Sequence, residues 1–206
     1  MNKYIAIEFE TGSGGSEIAL RLADKLSIPC YGREIMRMVS EEQRLSDADV
    51  KAYAQSITNS FLFSYYLFDR IKKNELSGLP QEGIICLEQQ KKIKKLAQNG
   101  SAIFIGHCAS QFIKQYGNVT KVYIKADYDD RMKRLKQEKK SSDIDVCTMI
   151  KTIDGMQERY YVCNTGRRWN DESGYDLVLN TSQTDIEECI QAIASKFCDS
   201  AEQNKD

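Results

Sequence analysis

Tyr4-Ile5-Ala6-Ile7-Glu8-Phe9-Glu10-Thr11-Gly12-Ser13-Gly14-Gly15-Ser16-Glu17-Ile18-Ala19 changes character twice along its length. Residues 4 to 9 form a short, apolar, β-prone run, and beyond the glycines Ile18, Ala19, Leu22 and Leu26 recur at helical spacing. The order is strand, glycine loop, helix. That order makes a device for anions: backbone N–H groups come close where side chains are absent, and a helix N-terminus adds partial positive charge. Gly12, Ser13, Gly14, Gly15 and Ser16 are therefore the candidate anion-binding residues. Ser16-Glu17 also suits the first turn of any helix, being a small polar residue followed by an acid.

Working outward, three more runs read as buried strands: Ser101 to Gly106, Val119 to Ala126, and Tyr175 to Asn180. Helical patterns separate them over Glu82 to Gln98, Asp127 to Lys139, and Cys147 to Val162 with its stripe of Met149, Ile153, Met156 and Tyr160. A C-terminal helix carries Ile186, Cys189, Ile190, Ile193 and Phe197. The alternation predicts an α/β fold of three layers, a mostly parallel sheet with right-handed crossovers and helices on both faces. Ligands of such sheets sit beyond the carboxyl ends of the strands. Residues 43–79 break the alternation and read as a helical insertion, whose aromatics pack on the domain or cover a substrate or a second subunit. Residues 1–206 are expected to form one domain, with a polar tail at 199–206 that frays. The Lys91-Lys92-Ile93-Lys94-Lys95 run reads as a solvated helix face.

With 29 basic and 30 acidic side chains, the net charge of -1 gives no global field for nucleic acid or an anionic membrane, so any anion site is built locally. Seven cysteines without a C-x-x-C pair and a single histidine, His107, leave little for a zinc site and read as reduced thiols. No apolar run approaches the roughly 18 residues of a membrane span, and a cytoplasmic location is expected.

Two nucleotide motifs half-match the loop. The dinucleotide pattern G-x-G-x-x-G fits Gly12 and Gly14 but meets Glu17 in place of its third glycine. The mononucleotide pattern G-x-x-x-x-G-K-[ST], aligned on Gly15, puts Glu10 at the first glycine, Ser16 at the lysine and Glu17 at the hydroxyl residue. The amide cradle survives. The lysine charge on the β- and γ-phosphates and the usual hydroxyl ligand of Mg²⁺ do not.

Gly12-Ser13-Gly14-Gly15-Ser16-Glu17-Ile18-Ala19, followed by Ile28-Pro29-Cys30-Tyr31-Gly32-Arg33-Glu34, resembles the opening of the cytidylate kinase-like family. Phe104-Ile105-Gly106-His107-Cys108-Ala109 is similar to that family's glycine-arginine-cysteine-alanine motif, and Asn118 to Ile124 to its next strand. Asp154 to Trp169, with Thr165-Gly166-Arg167-Arg168-Trp169, resembles its post-lid region, and Tyr175 to Ser182 its last strand. The likeness runs from residue 4 to about 195 and implies a P-loop fold that moves the γ-phosphoryl of ATP, with Mg²⁺, to CMP or a related nucleoside monophosphate. It also implies a lid at about 136–170.

Such transfer needs aligned nucleotides and neutralised charge more than covalent chemistry, so basic residues decide the matter. The sequence departs from the family pattern at several of them: Ser16, His107, Met156 and Gln157 stand where arginines are usual, and Gly32 and Ser110 where aspartates are. Within the resemblance, Arg134, Arg159 and Arg167 are the candidate catalytic clamps, and Tyr31, Arg33 and His107 the candidate acceptor contacts. Arg131 and Arg134 share a helix face, which alone reads as solvated or paired with Asp127 and Asp130; Trp169 reads as a base platform or a core anchor. Three functions stay open: a nucleotide kinase, a degenerate kinase that binds nucleotide without turnover, and a nicotinamide-dependent oxidoreductase resting on the glycine loop alone. The expected partners are nucleotides, with a homodimer possible.

Overall fold

The computed structural model describes residues 2–59, 61–139 and 142–199, the side chains of 55–64 and 68 lying outside that description. Five parallel strands form one sheet, in the order β2-β3-β1-β4-β5. They are β1 (Asn2–Phe9), β2 (Cys30–Tyr31), β3 (Ala102–Ile105), β4 (Gly117–Lys125) and β5 (Leu177–Asn180). β1 is central because it is buried on both faces, and it pairs Tyr4 with Ala102 on one side and Val119 on the other.

Alternation along β1 separates the two layers. Ile5 and Ile7 face a cluster with Ile18 and Leu22 of α1 (Gly15–Leu26) and Ile190 and Ile193 of α9 (Ile186–Asp199). Tyr4 faces the other way, onto Ile35, Ile93, Phe104 and Ile113. Those residues belong to α2 (Arg33–Gln43), α5 (Gln81–Gln98), β3 and α6 (Ala109–Ile113). Each such fully buried side chain contributes about 2 kcal/mol of transfer free energy. The same alternation puts Glu8 on the Tyr4 face.

Residues 47–72 hold α3 (Asp47–Asn59) and α4 (Phe61–Lys72), in the stretch that lacks a strand pattern. Tyr53 is buried there, whereas Tyr65 and Tyr66 are exposed; Phe61, Phe63 and Phe68 have side chains outside the description. α7 (Tyr128–Lys139) and α8 (Asp143–Thr165) pack through Leu135, Val146 and Ile150.

Two expectations change. The lysine run is not wholly solvated, because Lys92 is buried and its ammonium bonds Glu42 of α2. The helix expected from Cys147 begins at Asp143, since the Ser142 hydroxyl caps it by accepting from the Asp145 N–H. The fraying tail falls mostly outside the described residues: α9 continues to Asp199, and 200–206 are not described. No described helix is long and apolar enough to cross a membrane, and all seven cysteines are free thiols.

Candidate functional site

The glycine loop lies at the carboxyl end of β1. Gly14 holds a φ of 84°, in the left-handed region that disfavours a side chain, and precedes α1 without any side-chain cap. Gly15 must be glycine for another reason: a Cβ there would sit 2.3 Å from the Phe9 ring. The Ser13 N–H donates to the Glu10 carbonyl at 3.0 Å, and the Ile18 N–H, donating to the Gly14 carbonyl, starts the helix ladder. Among the described residues, the amides of Gly14, Gly15, Ser16 and Glu17 have no protein acceptor. The hydroxyls of Thr11 and Ser13 are buried without a partner.

Three side chains hold the loop from behind by its carbonyls. Arg131 Nε donates to the Thr11 carbonyl at 2.7 Å, Arg134 Nη1 to that of Gly12 at 2.6 Å, and Thr181 Oγ1 to that of Ser13 at 2.7 Å. In a trans peptide the C=O and the next N–H point oppositely. Gripping consecutive carbonyls therefore fixes the direction of the N–H groups that follow them.

Arg131 is itself buried in a charge network. Its guanidinium bonds Asp154 of α8 and lies 3.4 Å from Glu10, while Asp154 also accepts the Thr11 N–H at 2.9 Å. Glu10 accepts the Ala126 N–H at 3.1 Å. Asp127 and Asp130, the partners expected from sequence, are replaced by acids from the loop and from α8. Arg134 is less committed, its one bond among the described residues being to Gly12, and lines a cavity of about 360 Å³ with Asp130, Lys133, Gln137, Thr181 and Ser182.

Across the cleft, β2 and β3 end in Gly32 and in a strained turn. Gly106, His107 and Cys108 take φ values of 66°, 58° and 51°, three left-handed residues in succession, a conformation that costs a non-glycine residue about 1–2 kcal/mol. The turn persists because the Gly106 N–H donates to the Ile7 carbonyl at 2.9 Å and the Cys108 N–H to Glu8 Oε1 at 3.2 Å. Glu8 is 7% exposed and also accepts from Trp169 Nε1 at 3.3 Å. Burial pushes its carboxyl up to about 7, against the opposing pull of those two hydrogen bonds. Burial lowers the His107 pKa despite its contact with the Gly32 backbone, so the imidazole is neutral where a protonated one would have contacted phosphate.

Of the residues singled out in the sequence, Gly12 to Ser16 and Arg134 come together at the loop. Tyr31 packs its ring at a tilt against Phe104, with centroids 5.6 Å apart, and Arg33 is exposed at the first position of α2. Arg159 is half-buried on α8 with its Nε lacking a partner, and Arg167 is exposed just past the Gly166 cap. Neither makes a hydrogen bond to the loop among the described residues. Trp169 is 4% exposed, a core anchor and not an open platform. Sequence reasoning missed Asp154, Thr181 and Glu8, whose partners lie far along the chain.

The sequence and the fold are similar to those of known proteins. The profile of the cytidylate kinase-like family matches residues 4–183. A cytidylate kinase of Pyrobaculum islandicum is 22% identical over 195 residues, covering 94% of this chain and 92% of its own. Among solved structures, an uncharacterized protein from Eubacterium ventriosum is similar at a TM-score of 0.69 and 22% identity, over 94% of this chain and 97% of that one. Shikimate kinase from Bacteroides thetaiotaomicron shares the fold at a TM-score of 0.51 and 13% identity, over 95% and 98% of the two chains. The fold is of the P-loop kinase type, and the chain belongs to the cytidylate kinase-like family.

Proposed function

We propose that this protein transfers the γ-phosphoryl group of ATP to a nucleoside monophosphate, CMP or a close relative. The observation that carries the reading is the loop held by three carbonyls, with four amides left without acceptors beside the Arg134 guanidinium. A polyphosphate supplies the acceptors those amides lack, and the buried Ser13 hydroxyl is a further group without a partner.

An acceptor phosphate oxygen attacks the γ-phosphorus, the bond to the β–γ bridging oxygen breaks, and ADP leaves. Such a step asks the protein for alignment and for positive charge. Arg134 supplies the charge that Ser16 cannot, so a P-loop without lysine can still hold phosphate. Arg159 and Arg167 are assigned to the migrating phosphoryl group, and Tyr31, Arg33 and neutral His107 to the acceptor side. Mg²⁺ supplies charge neutralisation on the phosphates, and the buried, unpartnered hydroxyls of Thr11 and Ser13 are the loop groups that could face it. The whole is read as one domain, with residues 43–79 as a helical insertion and a lid at about 136–170.

The test is ADP formation with ATP, Mg²⁺ and each common monophosphate, together with thermal shifts for each ligand. Ligand that binds only the native state raises apparent stability by mass action. Turnover with one monophosphate supports the reading; binding with no turnover on any of them defeats it. One observation favours a second reading, a nucleotide-binding protein without chemistry: Glu10 and Asp154 put two carboxylates beside the anion cradle. Robust turnover excludes that alternative.

A further inference from the structure

We propose that Glu8 is a proton-controlled positioning residue: its buried carboxylate joins the His107–Cys108 turn to the segment after α8, so its charge state sets how the acceptor side of the cleft is held. The geometry is specific. One oxygen accepts the Cys108 N–H at 3.2 Å and the other the Trp169 indole N–H at 3.3 Å. The first bond holds a left-handed residue that has no glycine to ease it. The second anchors the chain two residues beyond Arg167. A single carboxylate thus ties together the two segments that carry His107 and Arg167.

Among the described residues, no cation forms an ion pair or hydrogen bond with that carboxylate. The strand β4 presents Tyr123 opposite it, α8 presents Tyr160 and Tyr161, the following segment presents Trp169 and Tyr175, and the turn presents Cys108 and His107. Lys72 of α4, whose charge acts on Cys108, donates to the Cys163 carbonyl. Burial raises the Tyr123, Tyr160, Tyr161, Tyr175 and Cys108 ionisations, leaving Glu8 and His107 as the groups of this cluster that titrate near or below neutrality. Their shifts run oppositely, Glu8 upward and His107 downward. Protonation of Glu8 replaces two charge-assisted hydrogen bonds by neutral ones, which are roughly half as strong. The strained turn and the post-lid segment then lose part of their common anchor.

The chain contains a single tryptophan, so one indole N–H resonance reports this contact without ambiguity. In a ¹⁵N NMR titration of the full-length ligand-free protein, the Trp169 indole and Cys108 amide signals are expected to shift together, with one shared midpoint near 7 in place of the usual 4.5. In Glu8→Gln both signals should lose that titration, while in His107→Gln both should keep it. Different midpoints for the two signals, a midpoint in the ordinary carboxylate range, or persistence of the shift in Glu8→Gln would overturn the proposal. The wild-type titration decides even if Glu8→Gln does not fold. The consequence for acceptor use rests on the kinase reading: Glu8→Gln should flatten one limb of the pH profile of kcat/KM for the acceptor and leave the KM for ATP unchanged. An unaltered limb would reject the coupling to the acceptor side. Total absence of turnover in the wild type would sink the kinase reading and leave the NMR result standing.

Discussion

The two walls of the cleft handle buried charge in opposite ways. On the loop side, Arg131 sits between Glu10, Asp154 and the Thr11 carbonyl, so each charge has a counterpart within hydrogen-bonding or ion-pair distance. On the opposite side, Glu8 lies among aromatic rings with two N–H donors and, among the described residues, no ion-pair partner. A compensated network is rigid and punishes the loss of any member; an uncompensated carboxylate responds to pH. The contrast teaches that this fold braces its glycine loop by ion pairing and holds the opposite wall through a buried carboxylate that, among the described residues, has no ion pair.

The largest effect should come from breaking the compensated side. Arg131→Met leaves Glu10 and Asp154 facing each other without a cation, which for a buried pair costs about 4 kcal/mol. For a protein of this size that lowers Tm by roughly 10 °C, measurable by calorimetry; a Tm within a degree or two of wild type would show that the network does not brace the fold.

The uncompensated side should give the next largest effect, and only as a function of pH. The folded-state Glu8 holds its proton up to about 7 against a usual 4.5, so the native chain binds more protons than the unfolded one in that window. Stability from this group is therefore fully present below the unfolded value and is lost as pH rises through the folded one, by about 3 kcal/mol in all. Urea denaturation at mildly acidic and mildly alkaline pH should show that loss in wild type and not in Glu8→Gln. Equal pH slopes in the two proteins would mean that Glu8 is not the group responsible.

Arg134→Met separates catalysis from bracing, because this guanidinium makes one loop bond and otherwise borders the cavity. We expect kcat/KM for ATP to fall about 100-fold, equivalent to about 2.7 kcal/mol, with little change in Tm. Arg134→Lys should recover part of the loss, since it keeps the charge and drops the planar fork. Wild-type kinetics in Arg134→Met would remove this residue from the site.

How much of this was legible in the sequence follows from the range of each interaction. The strand, loop and helix at residues 2–26 were readable because the apolar period changes there and the glycines punctuate it. β2, only two residues long, is too short for any period to show. The Arg131 and Arg134 pair gave the correct helix face, but the partners of Arg131 lie on the loop and on α8, and no spacing rule connects them. Glu8 and Trp169 are 161 positions apart, so their contact exists only through the fold. The helix start at Asp143 was within reach, since Ser142 three residues before Asp145 is a capping signal.

Thr181→Val is the mildest intervention and the sharpest on the loop's geometry. The Thr181 hydroxyl, at the end of β5, donates to the Ser13 carbonyl at 2.7 Å and touches no charged group of the Arg131 network. Valine keeps the branched shape and deletes the donor, so global stability should drop by only about 1 kcal/mol. The peptide between Ser13 and Gly14, however, would lose the brace that aims the Gly14 N–H. If carbonyl bracing is what orients the amide cradle, affinity for ATP must weaken by more than the change in folding stability accounts for, while affinity for the acceptor stays constant. Calorimetric titration with a non-hydrolysable ATP analogue reads the first quantity directly. Unchanged analogue affinity would mean that the loop keeps its shape through the glycine torsions and the two arginine contacts alone.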